Sequence, residues 1–298
     1  MPFGGMDRRS LIAAMLALPG VASAQTVAPP DPTEIIKLWP NGAPGGKGVT
    51  VTPVVVERST DPSFHDRYAQ FTTDPLLTVV RPERPNGASL LLIPGGGYRW
   101  AVIDKEGLDV ARVFAAAGIT CYVLRYRLPA DGWAAGPDAP LQDAQRALRL
   151  VRAAAAAEGR DPSKVAVLGA SAGGHLAGML TARHDTTYAP IDAADALSHR
   201  PDLTMLMYPV ATMADPFVHV GSRTHLLGAA PSPELIARYS LERMDWTGAP
   251  PVFLLHAVDD AAVPVENSLN LLSALRAAKV PAEAHLFQEG GHGFGIRL

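Results

Sequence analysis

The sequence predicts an α/β chain: a mostly parallel sheet, buried on both faces, with helices packed against it. Three observations carry that prediction. Short apolar runs recur without the polar alternation of half-exposed strands, as burial on both faces requires. Segments between them repeat apolar residues at helical spacing. Loops carrying glycine, carboxylate or histidine follow the runs, where the ligand-binding edge of such a sheet lies.

The 298 residues are 48% hydrophobic and 18% charged, enough for one sizeable globular core. A net charge of −3 gives no electrostatic basis for binding nucleic acid or an anionic membrane. Cys121 is the single cysteine, so an internal disulfide and a cysteine-based zinc site are excluded. It falls in the apolar run Ile119–Leu124 and reads as a buried, inert thiol.

Residues 1–24 have the layout of a secretory signal. Arg8 and Arg9 precede the apolar run Leu11–Leu18, and Ala22-Ser23-Ala24 precedes the expected cleavage before Gln25. The arginine pair also suits a twin-arginine route. The run is too short to span a bilayer. A periplasmic or secreted protein with no membrane attachment after signal removal is therefore expected. Residues 25–36 are polar and proline-rich and read as a linker, leaving 37–298 as one catalytic-size domain.

From there the elements follow in turn. Leu76–Val80 and Leu90–Ile93 suit strands, and Asp109–Ala116 a helix with Val110, Val113 and Phe114 to one side. Ile119–Leu124 is the next strand. Leu141–Ala155 is an amphipathic helix with Leu141, Ala144, Leu148 and Val151 on its core face; Asp143, Arg146, Arg149 and Arg152 point away from that face. Val165–Leu168 is a strand and Ala172–Thr181 a helix. Strands at Leu203–Met207, Val252–Leu255 and Ala284–Phe287, with a helix at Val265–Ala278, complete the pattern.

The loops after four strands carry candidate chemistry. Pro94-Gly95-Gly96-Gly97-Tyr98 has more glycines than one turn needs; backbone N–H groups there can approach a ligand closely, or the loop can simply pack tightly. Gly169-Ala170-Ser171-Ala172-Gly173 fits G-x-S-x-G, a sharp strand-to-helix turn that holds the serine at its apex. Asp259 and Asp260 follow the next strand and can either start a helix or orient a histidine. His292 stands among Gly290, Gly291, Gly293 and Gly295 after the last strand. His175 follows the serine and reads as packing. His184, His199, His219 and His225 read as solvated loop residues. Serine, acid and histidine occur in the order expected of one sheet architecture.

These stretches resemble the α/β-hydrolase superfamily, and within it the bacterial acetylxylan or carbohydrate esterases related to hormone-sensitive-lipase-like esterases. The resemblance rests on "PGGGY", "DKEGLDVARVFAAAGI", "YRLP", "LQDAQRALRLVR", "GASAGGHLAG", "SHRPDLTMLMYPV", "HAVDDAAVPVENS" and "GGHGFG", and runs from about Leu38 onward. It implies Ser171 as nucleophile and His292 as general base and then acid. It selects Asp260 as the orienting carboxylate, with Asp259 one residue away as the alternative. Gly96, Gly97 and Ala172 would supply the oxyanion hole. No metal or organic cofactor is implied.

The expected reaction is hydrolysis of a small-molecule or oligosaccharide ester, acetylated xylan fragments first. A peptidase or amidase, a feruloyl esterase and a non-catalytic binding protein are the alternatives. Tyr98, Trp100 and Trp133 either line a sugar or aryl site or pack as ordinary aromatics, and Glu106 is expected to support the start of the following helix. Two features depart from the resemblance. Ile93-Pro94 stands where His-Gly is usual, and the sequence stops at Leu298 where relatives continue into a closing helix.

Overall fold

The computed structural model describes residues 27–296; the expected leader lies outside them. In chain order the strands are β1 (Ile35–Lys37), β2 (Val54–Glu57), β3 (Arg67–Gln70), β4 (Leu76–Val80), β5 (Ser89–Ile93), β6 (Ala101–Val102), β7 (Thr120–Arg125), β8 (Val165–Ala170), β9 (Leu203–Met207), β10 (Val252–Ala257) and β11 (Ala282–Phe287). The helices are α1 (Asp109–Ala116), α2 (Ala139–Ala157), α3 (Ala172–Ala182), α4 (Val220–Leu227), α5 (Pro233–Arg238) and α6 (Glu266–Ala277).

Eight strands form one sheet in the order β1-β4-β7-β5-β8-β9-β10-β11. Pairing is parallel from β7 to β11, and antiparallel where β4 joins β7 and β1 joins β4. Ile93 is level with Gly169, Ala170 with Met207, and Ala257 with Phe287. The register therefore delivers the loops after β5, β8, β10 and β11 to one edge. That is what positions the site. A small antiparallel sheet, β2-β3-β6, lies apart from it.

Every residue of β5 is buried, because alternate side chains enter different layers. Leu91 and Ile93 join Leu141, Leu148, Leu176 and Leu271 in the layer made by α2, α3 and α6. Leu90 and Leu92 join Val110, Phe114 and Cys121 in the layer covered by α1. Each such leucine contributes about 1.5–3 kcal/mol relative to exposure. Helices on both faces match the fold class expected from unbroken apolar strands.

One expectation needs correction and one needs completing. The segment expected as linker is docked from Ala28 onward: Ala28 N–H donates to Pro62 O at 2.8 Å, and Asp31 pairs with Arg67 at 2.7 Å. Its end, Ile35–Lys37, is the edge strand β1. The polar side of α2, expected only to point away from the core face, is itself covered, since Asp143, Arg146, Arg149 and Arg152 are all buried. Arg149 donates to Tyr188 Oη at 2.8 Å and Leu197 O at 2.9 Å; Arg152 meets Asp202 at 3.0 Å. Asp143 binds Trp39 Nε1 at 2.7 Å and the wholly buried Arg127 at 2.8 Å. Arginine in an apolar layer is tolerable only when its donors are so filled.

Candidate active site

The turn from β8 to α3 puts Ser171 at φ 54° and ψ −120°, a conformation that costs a residue with a Cβ. Backbone bonds hold it there. Ser171 N–H donates to Met207 O at 3.0 Å, and Ser171 O accepts from Val210 N–H at 3.0 Å and His175 N–H at 3.1 Å. The flanking glycines are steric requirements. A Cβ on Gly173 would stand 2.0 Å from Ile93 O, and one on Gly169 would stand 2.2 Å from Gly173 O. Ser171 thus sits at the N-terminal, electropositive end of α3.

Ser171 Oγ lies 2.8 Å from His292 Nε2, and His292 Nδ1 lies 2.7 Å from Asp260 Oδ2. A carboxylate can only accept, so the imidazole carries its proton on Nδ1 and presents Nε2 as acceptor to the hydroxyl. Asp260 is buried, and its other oxygen accepts from Ala262 and Val263 N–H, each at 2.9 Å. Burial alone would raise its carboxyl. Hydrogen bonds from His256, His292 and Val263 outweigh that and hold it well below the usual carboxylate range.

Asp259 plays a different part. It is exposed, and its carboxylate accepts the Gly291 N–H at 2.8 Å, tethering the histidine loop by its backbone. The adjacent carboxylates therefore divide the work: one meets the imidazole, the other the chain that carries it.

The three glycines of the loop after β5 are not equivalent. Gly95 N–H donates to Glu106 Oε2 at 2.8 Å and is spoken for. Among the described residues, the Gly96 and Gly97 N–H groups have no acceptor. Ala172 opens α3, where an N–H has no partner within the helix. Pro94 closes the strand without loss, since its carbonyl accepts from Tyr126 Oη at 2.8 Å.

Several residues matter here that sequence reasoning misplaced or missed. Glu106 does not cap the helix; it holds Gly95. His256 is fully buried, with Nε2 3.2 Å from Asp260 Oδ2 and 3.0 Å from Val263 O, and Nδ1 2.7 Å from Ser268 Oγ. Two acceptors face Nε2, so the proton is there and is shared with Asp260. The His256-to-Asp260 spacing was the available signal. Tyr208 presents its ring edge-on to His292, centroids 5.1 Å apart.

His219 is not a solvated loop residue. It caps α4 through Ser222, and its Cε1 is 3.7 Å from where a Gly97 Cβ would stand. His225 lies within α4, and His199 is buried. His175 does pack, bridging Tyr98 Oη at 2.7 Å and Tyr239 O at 2.6 Å. Tyr98 and Trp133 are buried; Trp133 stacks under the Arg127 guanidinium at 4.9 Å. Trp100 alone of the three aromatics is partly open, and it packs against Gly96.

The profile of the prolyl oligopeptidase family matches residues 138–297, from the start of α2 through the histidine loop. The chain belongs to that family. This prolyl oligopeptidase family member is 35% identical over 207 residues to endo-1,4-β-xylanase B of Butyrivibrio fibrisolvens, covering 70% of the chain and 32% of that protein. It is 32% identical over 219 residues to the acetylxylan esterase of Xylanibacter ruminicola, covering 72% and 42%. It therefore spans less than half the length of either relative. Among solved structures, an acetyl ester-xyloside bifunctional hydrolase from Caldicellulosiruptor lactoaceticus matches with a TM-score of 0.68 and 33% identity, over 92% of this chain and 91% of that one. The Thermogutta terrifontis esterase Est2 matches with a TM-score of 0.60 and 25% identity, over 74% and 80%.

Proposed function

We propose that this chain is a serine esterase that removes short acyl groups, acetyl foremost, from carbohydrate such as xylan fragments. The observation that carries the reading is the unbroken relay from Ser171 Oγ through His292 to the buried Asp260, at 2.8 and 2.7 Å. The names of its relatives, an acetylxylan esterase and an acetyl ester-xyloside hydrolase, support the substrate class.

In this reading His292 Nε2 takes the Ser171 proton as Oγ attacks the ester carbonyl. Asp260 stabilises the imidazolium that forms without itself taking a proton. Charge on the carbonyl oxygen meets the N–H groups of Gly96, Gly97 and Ala172, each such donor worth roughly 2.7–4 kcal/mol in the transition state. The proton on Nε2 passes to the departing alcohol. Water then attacks the acyl carbon while losing a proton to the same nitrogen, and that proton passes to Ser171 Oγ as its bond to the acid breaks.

The family's own name favours a second reading, hydrolysis of peptide amides by the same residues. Acetate release from acetylated xylo-oligosaccharides, compared with feruloyl esters, p-nitrophenyl acetate and a proline p-nitroanilide, separates the two. Esterase activity abolished in Ser171→Ala is the expected result. Turnover of the anilide alone would overturn the reading. For the leader we propose export, and a periplasmic pool of enzyme beginning near Gln25 is the expected outcome of fractionation and N-terminal sequencing.

A further inference from the structure

The geometry points to Glu106 as a positioning residue whose buried carboxylate holds the oxyanion loop against the serine turn, beside the histidine loop. It lies on a single π-helical turn, Asp104–Leu108, between β6 and α1. That turn is itself anchored: the buried Asp104 carboxylate accepts from Arg67 N at 2.6 Å, Nε at 2.9 Å and a terminal guanidinium nitrogen at 2.8 Å. A π-turn set into a helix start is uncommon and is often kept at working sites.

The clamp meets the loop at Gly95. A Cβ there would stand 2.8 Å from Glu106 Oε2, 2.7 Å from Ser171 Cβ and 2.6 Å from Ala170 O. Carboxylate, nucleophile turn and oxyanion loop thus close around one point, which only glycine can occupy. By taking the Gly95 N–H, Glu106 fixes the peptide that aims the next two N–H groups. Its other oxygen lies 3.8 Å from where a Gly293 Cβ would be, next to His292.

The surroundings make the charge matter. Glu106 faces His292, Tyr208 and Lys105, and Tyr126 stands near it. Around His292 stand Asp260, Tyr208 and His219. Burial leaves the Glu106 carboxyl raised on balance, although the Gly95 N–H, His292, Tyr208 and Lys105 draw it part of the way back. An ionised carboxylate there favours the His292 imidazolium, a species formed during acyl transfer, so it acts on the transition state more than on substrate binding.

This rests on the roles proposed for Ser171 and His292, so the test separates them. The full chain, Glu106→Gln and Glu106→Ala are treated with a fluorophosphonate from about pH 5 to 9, and phosphonylation of Ser171 is followed by mass. The His292 imidazole is titrated by NMR in each. Glu106→Ala, losing both acceptor and charge, is expected to slow labelling roughly 10–100-fold. Glu106→Gln keeps an acceptor for Gly95 and is expected to recover most of that rate. Without the charge, its acid limb and the His292 titration should move to lower pH by about half a unit to one unit. A carboxylate that merely fills space would change thermal stability and leave both titrations in place. Unchanged labelling in Glu106→Ala, or an unmoved imidazole in Glu106→Gln, overturns the inference. Failure of wild type to label would sink the esterase reading instead, and the imidazole titration would still decide the role of Glu106.

Discussion

The turn that carries Ser171 and the loop that carries His292 meet at 2.8 Å, yet they are built in opposite ways. Around the serine everything is packed: all of α3 is buried, and the flanking glycines have backbone oxygen where a side chain would go. The histidine loop runs along the rim, with only Gly293 buried between Gly290 and Ile296. Polar tethers hold it, Asp259 to Gly291 N–H and Asp260 to His292. The serine is placed by sterics and the histidine by hydrogen bonds. The histidine half is therefore the half that substitutions can tune without unfolding the chain.

The largest effect that could break this contrast is Ser171→Ala, for which an esterase loss on the order of 10⁶-fold with an unchanged circular dichroism spectrum is expected. Next come the paired carboxylates. Asp260→Asn should cost about 10⁴-fold in kcat, because an amide facing Nδ1 can stabilise the wrong tautomer. Asp259→Asn, losing a backbone tether, should cost under about 10-fold. Equal losses in the two would mean that the tether and the relay are not separate.

Stability sharpens the same comparison. Gly173→Ala should destabilise by about 4 kcal/mol or more in urea unfolding, since its methyl meets Ile93 O. Gly291→Ala, at φ +61° with nothing within 4 Å, should cost only about 1–2 kcal/mol of backbone strain.

The smallest effect is a pH slope. Burial drives His175 down to about 4, so between about pH 6.5 and 4 the unfolded chain takes a proton that the native one refuses. Stability from this group is full above that window and falls as pH falls through it. His199 and His219 act in the same direction. Asp131, raised to about 6 by burial, works the other way, as do Glu106 and Asp202. The measurement is therefore a difference: unfolding curves of wild type minus His175→Gln should show the slope.

Much of the sheet was legible in the sequence because doubly buried strands leave unbroken apolar runs. Leu76–Val80 and Leu203–Met207 are strands at the bounds those runs suggest, and Asp109–Ala116 is a helix. β1, β2, β3 and β6 have two to four residues each, too short to show a period. The arginines of α2 misled because their partners, Asp192 and Asp202 among them, are remote in the chain and invisible to helical spacing. At the site, the serine turn and the glycine-framed histidine stood out by local pattern. The resemblance chose Asp260 over its neighbour Asp259, and Asp260 is the carboxylate that meets the imidazole; the bond from Glu106 to Gly95 depends on a π-turn that no spacing reveals.

β11 is the outermost strand, and Leu286 and Phe287 at its end are 41% and 42% exposed. The imidazole hangs from that strand, five residues beyond Phe287. A probe or surface tether fixed to this flank would thus sit within a few residues of the proton-carrying ring while leaving the hydroxyl's own support untouched. Gripping the molecule there offers a handle on the imidazole's position, much as a finger on the string, rather than the bridge, changes the note.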